Sequence, residues 1–492
     1  MIKSLLSFDE LVNGISGRLL GDVGAPSSAS QPGDLAFGGF TSVQTDSRNV
    51  VPGTLFVPLM GEFQNGHKYI PSAIEKGASV ILIEKNEYEG NKSYYDKLAL
   101  ENSGVAFVVV ENTLHGLQDA AETYVSKVCK NMIRVSITGS SGKTTTKEMM
   151  VSVCKAHFGD DAVAYTKGNF NSETGLPLTA FTIRGDEKIA VLEMGMNRVN
   201  EIGEISKVFK SQFGIITNIG TAHIGILGSR KNIATEKRKS LAYIPQEGAA
   251  FVWSGDDMGD YCCEKLMGRV VKFGADVGAA ESGVEFVRDN GLFGSEFTVD
   301  GLLVKLPLSG EYNYLNALAV IACSKKLGFT AEEIKRGLEN ESAISGRMEV
   351  KEIELKNKNK IALIKDCYNA NLESMSKVID FCGSLKDVGK KIFVLGDMKE
   401  LGAESEKSHK AIGVKINEVK PDFTFLVGCE MKACYDVIEN KENVLLFDKS
   451  SEENFAEIVN KIGNVVGNKD VLLIKGSHSM ELEKLVPMVM DL

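Results

Sequence analysis

The sequence is short of several things, and each shortage excludes something. It has no basic excess: 56 Lys and Arg stand against 66 Asp and Glu, a net charge of −10. That argues against nucleic acid as a partner, because phosphate backbones are held by basic faces. A local basic cleft for an anionic substrate remains open. The nine cysteines are scattered and odd in number, with Cys262 and Cys263 adjacent and no C-x-x-C pair. Such usage fits a reducing compartment with thiols serving as small core residues. No apolar run approaches the roughly 20 residues of a spanning helix, so no membrane insertion is expected. The opening stretch meets Asp9 and Glu10 too early for a signal peptide. A cytoplasmic protein is expected. Short repeats and low-complexity tracts are also missing.

What is present is an ordinary globular composition, 43% hydrophobic and 25% charged, over 492 residues. That length suggests about three domains. Residues 1–102 read as an α/β unit without a phosphate loop. It holds a Ser/Gly/Pro-rich loop from Ser27 to Gly39, a strand in Thr54–Leu59, a helix over 73–77, a strand Ser79–Ile83, and a polar linker or surface excursion from Glu87 to Asn102. Residues 103–343 read as a doubly wound parallel sheet, because the strands are apolar almost throughout. Residues 344–492 alternate strand and helix again, as in a Rossmann-like unit. The fold class is α/β.

The stretch Thr138-Gly139-Ser140-Ser141-Gly142-Lys143-Thr144-Thr145 follows Ile133–Ile137, which reads as a short buried strand, and precedes Met149, Met150, Val153 and Cys154 at helical spacing. Strand, small-residue loop and helix in that order make a phosphate cradle. Loop N–H groups and the helix dipole meet one anion. Lys143 would reach the outer phosphates and the Thr144 hydroxyl would ligate Mg²⁺. The general motif has a Gly five residues before Gly142, where this chain has Ile137.

Two further strands end in polar residues, Ile189–Leu192 in Glu193 and Phe213–Thr217 in the run to His223. Ligands of doubly wound folds sit at such strand ends, so Lys143, Thr144, Glu193 and His223 are expected around one crevice. Glu193 suits Mg²⁺ as a hard oxygen ligand, against the plainer reading of a solvated strand-end acid. A lone histidine such as His223 is more often structural. Asn169 and Asn171 read as turn residues or as polar ligand contacts, Asn313 and Asn316 as helix caps, and Arg347 as a surface residue or an interdomain phosphate contact. Lys237, in Glu236-Lys237-Arg238-Lys239, reads as part of a solvated basic helix face.

Taken in order, the motifs resemble those of Mur ligases over nearly the whole chain. They are Thr45-Asp46-Ser47-Arg48 with Pro52-Gly53 and Gly66-His67, the Thr138–Thr146 loop, Gly168-Asn169-Phe170-Asn171 with Gly175–Thr179, and Leu192-Glu193-Met194-Gly195. Asn313 with Asn316–Ala319, Gly346-Arg347, Tyr368-Asn369-Ala370-Asn371, Leu395–Met398 with Glu400-Leu401-Gly402, and Lys475-Gly476-Ser477 follow. The missing upstream glycine is that family's own form of the loop.

The resemblance implies ATP-driven amide formation in peptidoglycan precursor synthesis, with ATP and Mg²⁺ as cofactors. It implies UDP-N-acetylmuramoyl-tripeptide and D-alanyl-D-alanine as partners, and a monomer. It assigns Gly139, Ser140, Ser141, Gly142, Lys143, Thr144, Thr145, Asn316, Arg347 and Asp366 to ATP. Ser47 and Arg48 fall to the nucleotide end of the substrate, and Asn169, Asn171, Asn369 and Asn371 to the substrate side. Thr144 and Glu193 would hold one Mg²⁺ and His223 a second, joined by Lys237 as a carbamate. Lys143, His223 and Lys237 are the catalytic set. Where the family has Glu, His, Gly-Glu, Pro and Arg, this chain has Gly225, Tyr312, Arg238-Lys239, Leu372 and His478. A neighbouring ligase that adds a single amino acid, or a folylpolyglutamate-type ligase, is the alternative enzyme. A P-loop ATPase switch is the alternative outside that class, and the length and the first unit argue against it.

Overall fold

The computed structural model describes residues 4–20, 38–61, 64–341, 344–356 and 358–492. Most of the expected Ser27–Gly39 loop lies outside them. Three large sheets follow one another along the chain. The first has five strands in the order Arg18–Leu19, Ala106–Val110, Ala78–Glu84, Thr54–Phe56, Ser42–Gln44. Only the Arg18–Leu19 pairing is antiparallel. This sheet takes in residues 106–110, past residue 102, where the first unit was expected to end.

The stretch expected as a polar linker or surface excursion, Glu87 to Asn102, is mostly helical, in the helices Lys85–Gly90 and Lys92–Glu101. Tyr88 and Tyr95 are buried there in one cluster with Ile81 and Phe107 of the sheet. Two aromatic anchors suffice to hold helices whose other faces are wet. The helix expected over 73–77 runs instead from Ile70 to Glu75, started by Pro71 in its first turn.

The second sheet is parallel throughout, in the order Arg269–Phe273, Ala249–Trp253, Phe213–Ile216, Ile133–Thr138, Ile189–Glu193, Val163–Tyr165. The three strands expected to carry the site are therefore adjacent, with Ile137 opposite Glu193 and Thr138 opposite Ile216. A separate antiparallel sheet, Val284–Asp289, Ser295–Val299 and Leu302–Leu306, was not anticipated.

The third sheet runs Glu349–Glu354, Lys360–Asp366, Val471–Lys475, Lys391–Gly396, Phe423–Val427, Val444–Phe447. Its opening edge strand is antiparallel and its other pairs are parallel. One apolar cluster joins the second and third units, with Ile219, Ile224 and Leu227 packed with Met375, Met398 and Leu401. The last unit is thereby docked over the strand ends of the middle one.

Candidate active site

The phosphate loop lies between the strand Ile133–Thr138 and the helix Lys143–Phe158. Gly142 adopts φ +82°, and a side-chain carbon there would fall 2.6 Å from Asn316 Oδ1. Glycine is required on both counts. No side chain caps the helix, so its first N–H groups face the cleft.

The segment after the strand Phe213–Ile216 braces the loop. Ser140 N donates to Asn218 O (2.9 Å) and Ser141 N to Asn218 Oδ1 (3.1 Å). Thr217 Oγ1 and Asn218 Nδ2 donate to Ser141 O at 2.6 and 2.9 Å. Sequence reasoning gave Thr217 and Asn218 no part, although their place directly after a central strand was a signal.

A cleft of about 430 Å³ opens over this loop, walled by both the middle and the last units. Lys143 lies in it, folded back so that Nζ donates to Gly139 O at 3.0 Å. Burial lowers its proton affinity; Glu193 opposes that shift and Arg347 adds to it. Glu193 is 1% exposed. Its Oε1 accepts from Asn171 Nδ2 at 2.7 Å, while Oε2 is buried without a hydrogen-bond partner. Asn169, Asn171 and His223 line the cleft with it. Asn313 and Asn316 do too, but they do not cap: the cap of the helix Glu311–Lys326 is Gly310.

The last unit supplies the facing wall. The Arg347 guanidinium lies 3.7 Å above the Tyr368 ring, so it is not a free surface residue. Asp366 Oδ2 accepts from Lys475 Nζ at 2.6 Å. Lys475 also donates to Asn369 O at 3.1 Å. Asn371 caps the helix Leu372–Ser384 and donates through Nδ2 to Ser141 Oγ of the phosphate loop, 3.3 Å away.

Lys237 corrects the sequence reading most sharply. It is 1% exposed, not part of a solvated face. Its Nζ donates to Gly139 O at 2.9 Å, the carbonyl that Lys143 Nζ also reaches, and so props the phosphate loop. Burial, with Lys143 nearby, pushes its proton affinity far down.

Ser47 and Arg48 are not among the cleft's lining residues. They sit in the turn Ser47–Asn49 of the first unit. Ser47 O accepts from Lys76 Nζ at 3.0 Å, and Arg48 is fork-bonded to Asp46, whose carboxyl it holds down at about 2.

Comparison with known proteins gives the family. Residues 39–125 match the model of the Mur ligase family catalytic domain, 137–324 the Mur ligase middle domain, and 346–478 the Mur ligase glutamate ligase domain. A Treponema pallidum (strain Nichols) protein named UDP-N-acetylmuramoyl-tripeptide–D-alanyl-D-alanine ligase is 35% identical over 486 residues, 99% of each chain. The chain belongs to the Mur ligase family.

Among solved structures, MurF from Acinetobacter baumannii matches with TM-score 0.82 and 26% identity over 98% of both chains. MurF ligase from Thermotoga maritima, solved in complex with ADP, matches with TM-score 0.73 and 24% identity over 94% of this chain and 98% of that one.

The departures from the Mur ligase pattern now have surroundings. Arg238 donates to Glu264 O at 2.8 Å and lies 4.7 Å over the Tyr261 ring. Lys239 donates to Glu236 Oε2 at 2.7 Å. Both basic residues are thus occupied locally. Leu372 is the first helical residue after its cap, a position where Pro and most other residues fit. Tyr312 lines the cleft with its hydroxyl buried and unpartnered. His478 stacks on Tyr368 with centroids 6.2 Å apart.

Proposed function

We propose that this Mur ligase is an ATP-dependent amide ligase that joins D-alanyl-D-alanine to UDP-N-acetylmuramoyl-tripeptide. The observation that carries the reading is the single cleft built by two units, with a phosphate loop on one wall and Arg347, Asp366 and Asn371 on the other. The full-length likeness to the T. pallidum protein of that name narrows the substrates.

In this reading the loop Gly139–Thr145 wraps the ATP phosphates, with the N–H groups at the helix start, from Gly142 to Thr145, turned to them while those of Ser140 and Ser141 stay on Asn218. Lys143 swings from Gly139 O to the outer phosphates, and Asn316, Arg347 and Asp366 hold the rest of the nucleotide. Ser47 and Arg48 anchor the uridine end of the acceptor; Asn169, Asn171, Asn369 and Asn371 border the peptide side. Mg²⁺ fits the donors present. The orphaned Glu193 Oε2 is a buried carboxylate oxygen in need of a partner, and hard cations take oxygen ligands. Among the described residues no three His, Cys, Asp or Glu side chains form a metal site by themselves, which suits an ion completed by phosphate oxygens. Thr144 and Glu193 would hold one ion; His223, with Lys237 as its carbamate, would hold a second. The metal would neutralise charge building on the transferring phosphoryl group.

The substrate carboxylate attacks the γ-phosphorus and ADP leaves, giving an acyl phosphate. The dipeptide amine then attacks the acyl carbon, loses a proton and expels phosphate. Electrostatic stabilisation by Lys143 and the loop amides, and exclusion of water by the docked last unit, are what the protein contributes. Among the described residues no helix is long and apolar enough to cross a membrane, and we place the reaction in the cytoplasm, on a monomer.

The test is phosphate release from ATP with each acceptor omitted in turn. Release that needs both UDP-N-acetylmuramoyl-tripeptide and D-alanyl-D-alanine is expected, with the joined product seen by mass spectrometry. Release without the dipeptide, or none with the full mixture, would overturn the reading.

A further inference from the structure

The segment that carries His223 is gripped from outside its own unit. Thr221 N and Thr221 Oγ1 both donate to the Glu373 carboxylate, each at 2.8 Å. Gly225 N donates to Glu400 O at 3.2 Å. Glu400 Oε2 lies 3.1 Å from His223 Nδ1, near but not yet aligned as a hydrogen bond. Glu373 and Glu400 both belong to the last unit. His223 and Glu400 each hold φ near +65° without being glycine. Such conformations persist where the surroundings over-determine them.

The glycine at 225 fits the same picture. A side-chain carbon there would lie 2.7 Å from both Glu400 O and Gly402 N. No side chain fits at 225 while the 400–402 segment is docked. Among the described residues, Glu400 is the one carboxylate within 4 Å of a His223 ring nitrogen.

We propose that Glu400 is a positioning residue for His223, delivered by the last unit, so that the ring takes its working orientation only while that unit is docked. A carboxylate at Nδ1 fixes the tautomer with Nε2 free as a ligand atom. The proposal rests on the ligase reading for what His223 does, but not for how the ring is held.

The test uses the full chain, first free of metal and nucleotide. The six histidines are ¹⁵N-labelled, and the His223 ring signals are assigned by their loss in His223→Asn. Glu400→Gln is expected to move those signals and to lower kcat about tenfold to a hundredfold, the usual cost of removing a ligand's orienting partner. KM for ATP should stay within about twofold, and Glu400→Asp should recover part of kcat. Trp253 is the chain's one tryptophan, and Lys377 of the last unit sits 5.7 Å over its ring. Its emission should not change in Glu400→Gln, because Glu373 still holds the units together. Unmoved ring signals overturn the proposal. So does a red-shifted Trp253, which would make Glu400 a docking residue only. Failure of the ligase reading would show separately, as wild-type protein that releases no phosphate while the ring signals still respond to Glu400.

Discussion

At the scale of single residues, Lys237 has the most at stake. Its amine is buried and bonded to Gly139 O of the phosphate loop. Two roles follow from that place: a prop for the loop, or, as a carbamate, an oxygen ligand at the same spot. Lys237→Ala separates them. Activity should fall about a hundredfold or more, on the scale of losing a preorganised charge-stabilising group. A short carboxylic acid added to the mutant should restore part of it if a carboxylate is what the site needs. Loss without rescue would leave only the prop, and full activity would remove both roles. Composition and periodicity could not reveal this burial; only the Mur ligase resemblance singled Lys237 out. A buried lysine has no pattern, and Lys237 lies among Glu236, Arg238 and Lys239, which look like a wet helix face.

At the scale of elements, the strand ends decide the site. The segment 218–227 both braces the phosphate loop through Asn218 and accepts the last unit at Thr221 and Gly225. Gly225→Ala puts a carbon 2.7 Å from two backbone atoms of the 400–402 segment. Backbone cannot yield as a side-chain tip can, and overpacking of this kind costs about 1–3 kcal/mol. The expected result is weaker docking, read as a red-shifted Trp253 and a lower kcat, with weaker ATP binding too, because Arg347 and Asp366 sit on the displaced unit. An alanine variant that matches the wild type in emission and kcat would show that the two loops do not press on each other.

These elements also show where the sequence was legible. Two of the central strands, Ile189–Glu193 and Phe213–Ile216, could be read because they are near-continuous apolar runs stopped by a polar residue; Ile133–Thr138, interrupted by Arg134 and Ser136, could be read from the loop it feeds. The phosphate loop could be read because its chemistry is local. The helices Lys85–Gly90 and Lys92–Glu101 could not, since two tyrosines anchor seventeen mostly polar residues. The edge strand Glu349–Glu354 was missed because only Val350 and Ile353 are apolar in it, three apart rather than alternating, at the rim of its sheet. Glu373 and Glu400 were invisible as contacts; Glu373 meets a residue 152 positions away along the chain.

At the scale of the whole molecule, chemistry and docking are coupled. An acyl phosphate exposed to water hydrolyses, so the last unit must be seated before the γ-phosphoryl group moves. In this structure it is seated, through Glu373 on Thr221, Asn371 on Ser141, Glu400 on the His223 loop and a shared apolar cluster. Glu373→Ala removes two hydrogen bonds to a carboxylate. Bonds to charged groups contribute about 1.5–3 kcal/mol each, and every 1.4 kcal/mol is about tenfold in the docked population. The variant should be more open, with a larger radius of gyration by small-angle scattering and a red-shifted Trp253. It should also be leakier. Phosphate released per dipeptide joined should rise above the wild-type ratio, because the acyl phosphate forms in a site that water can enter. Lower kcat with an unchanged ratio and unchanged scattering would mean that Glu373 only shapes the Thr221 loop, and that the apolar cluster alone keeps the units together.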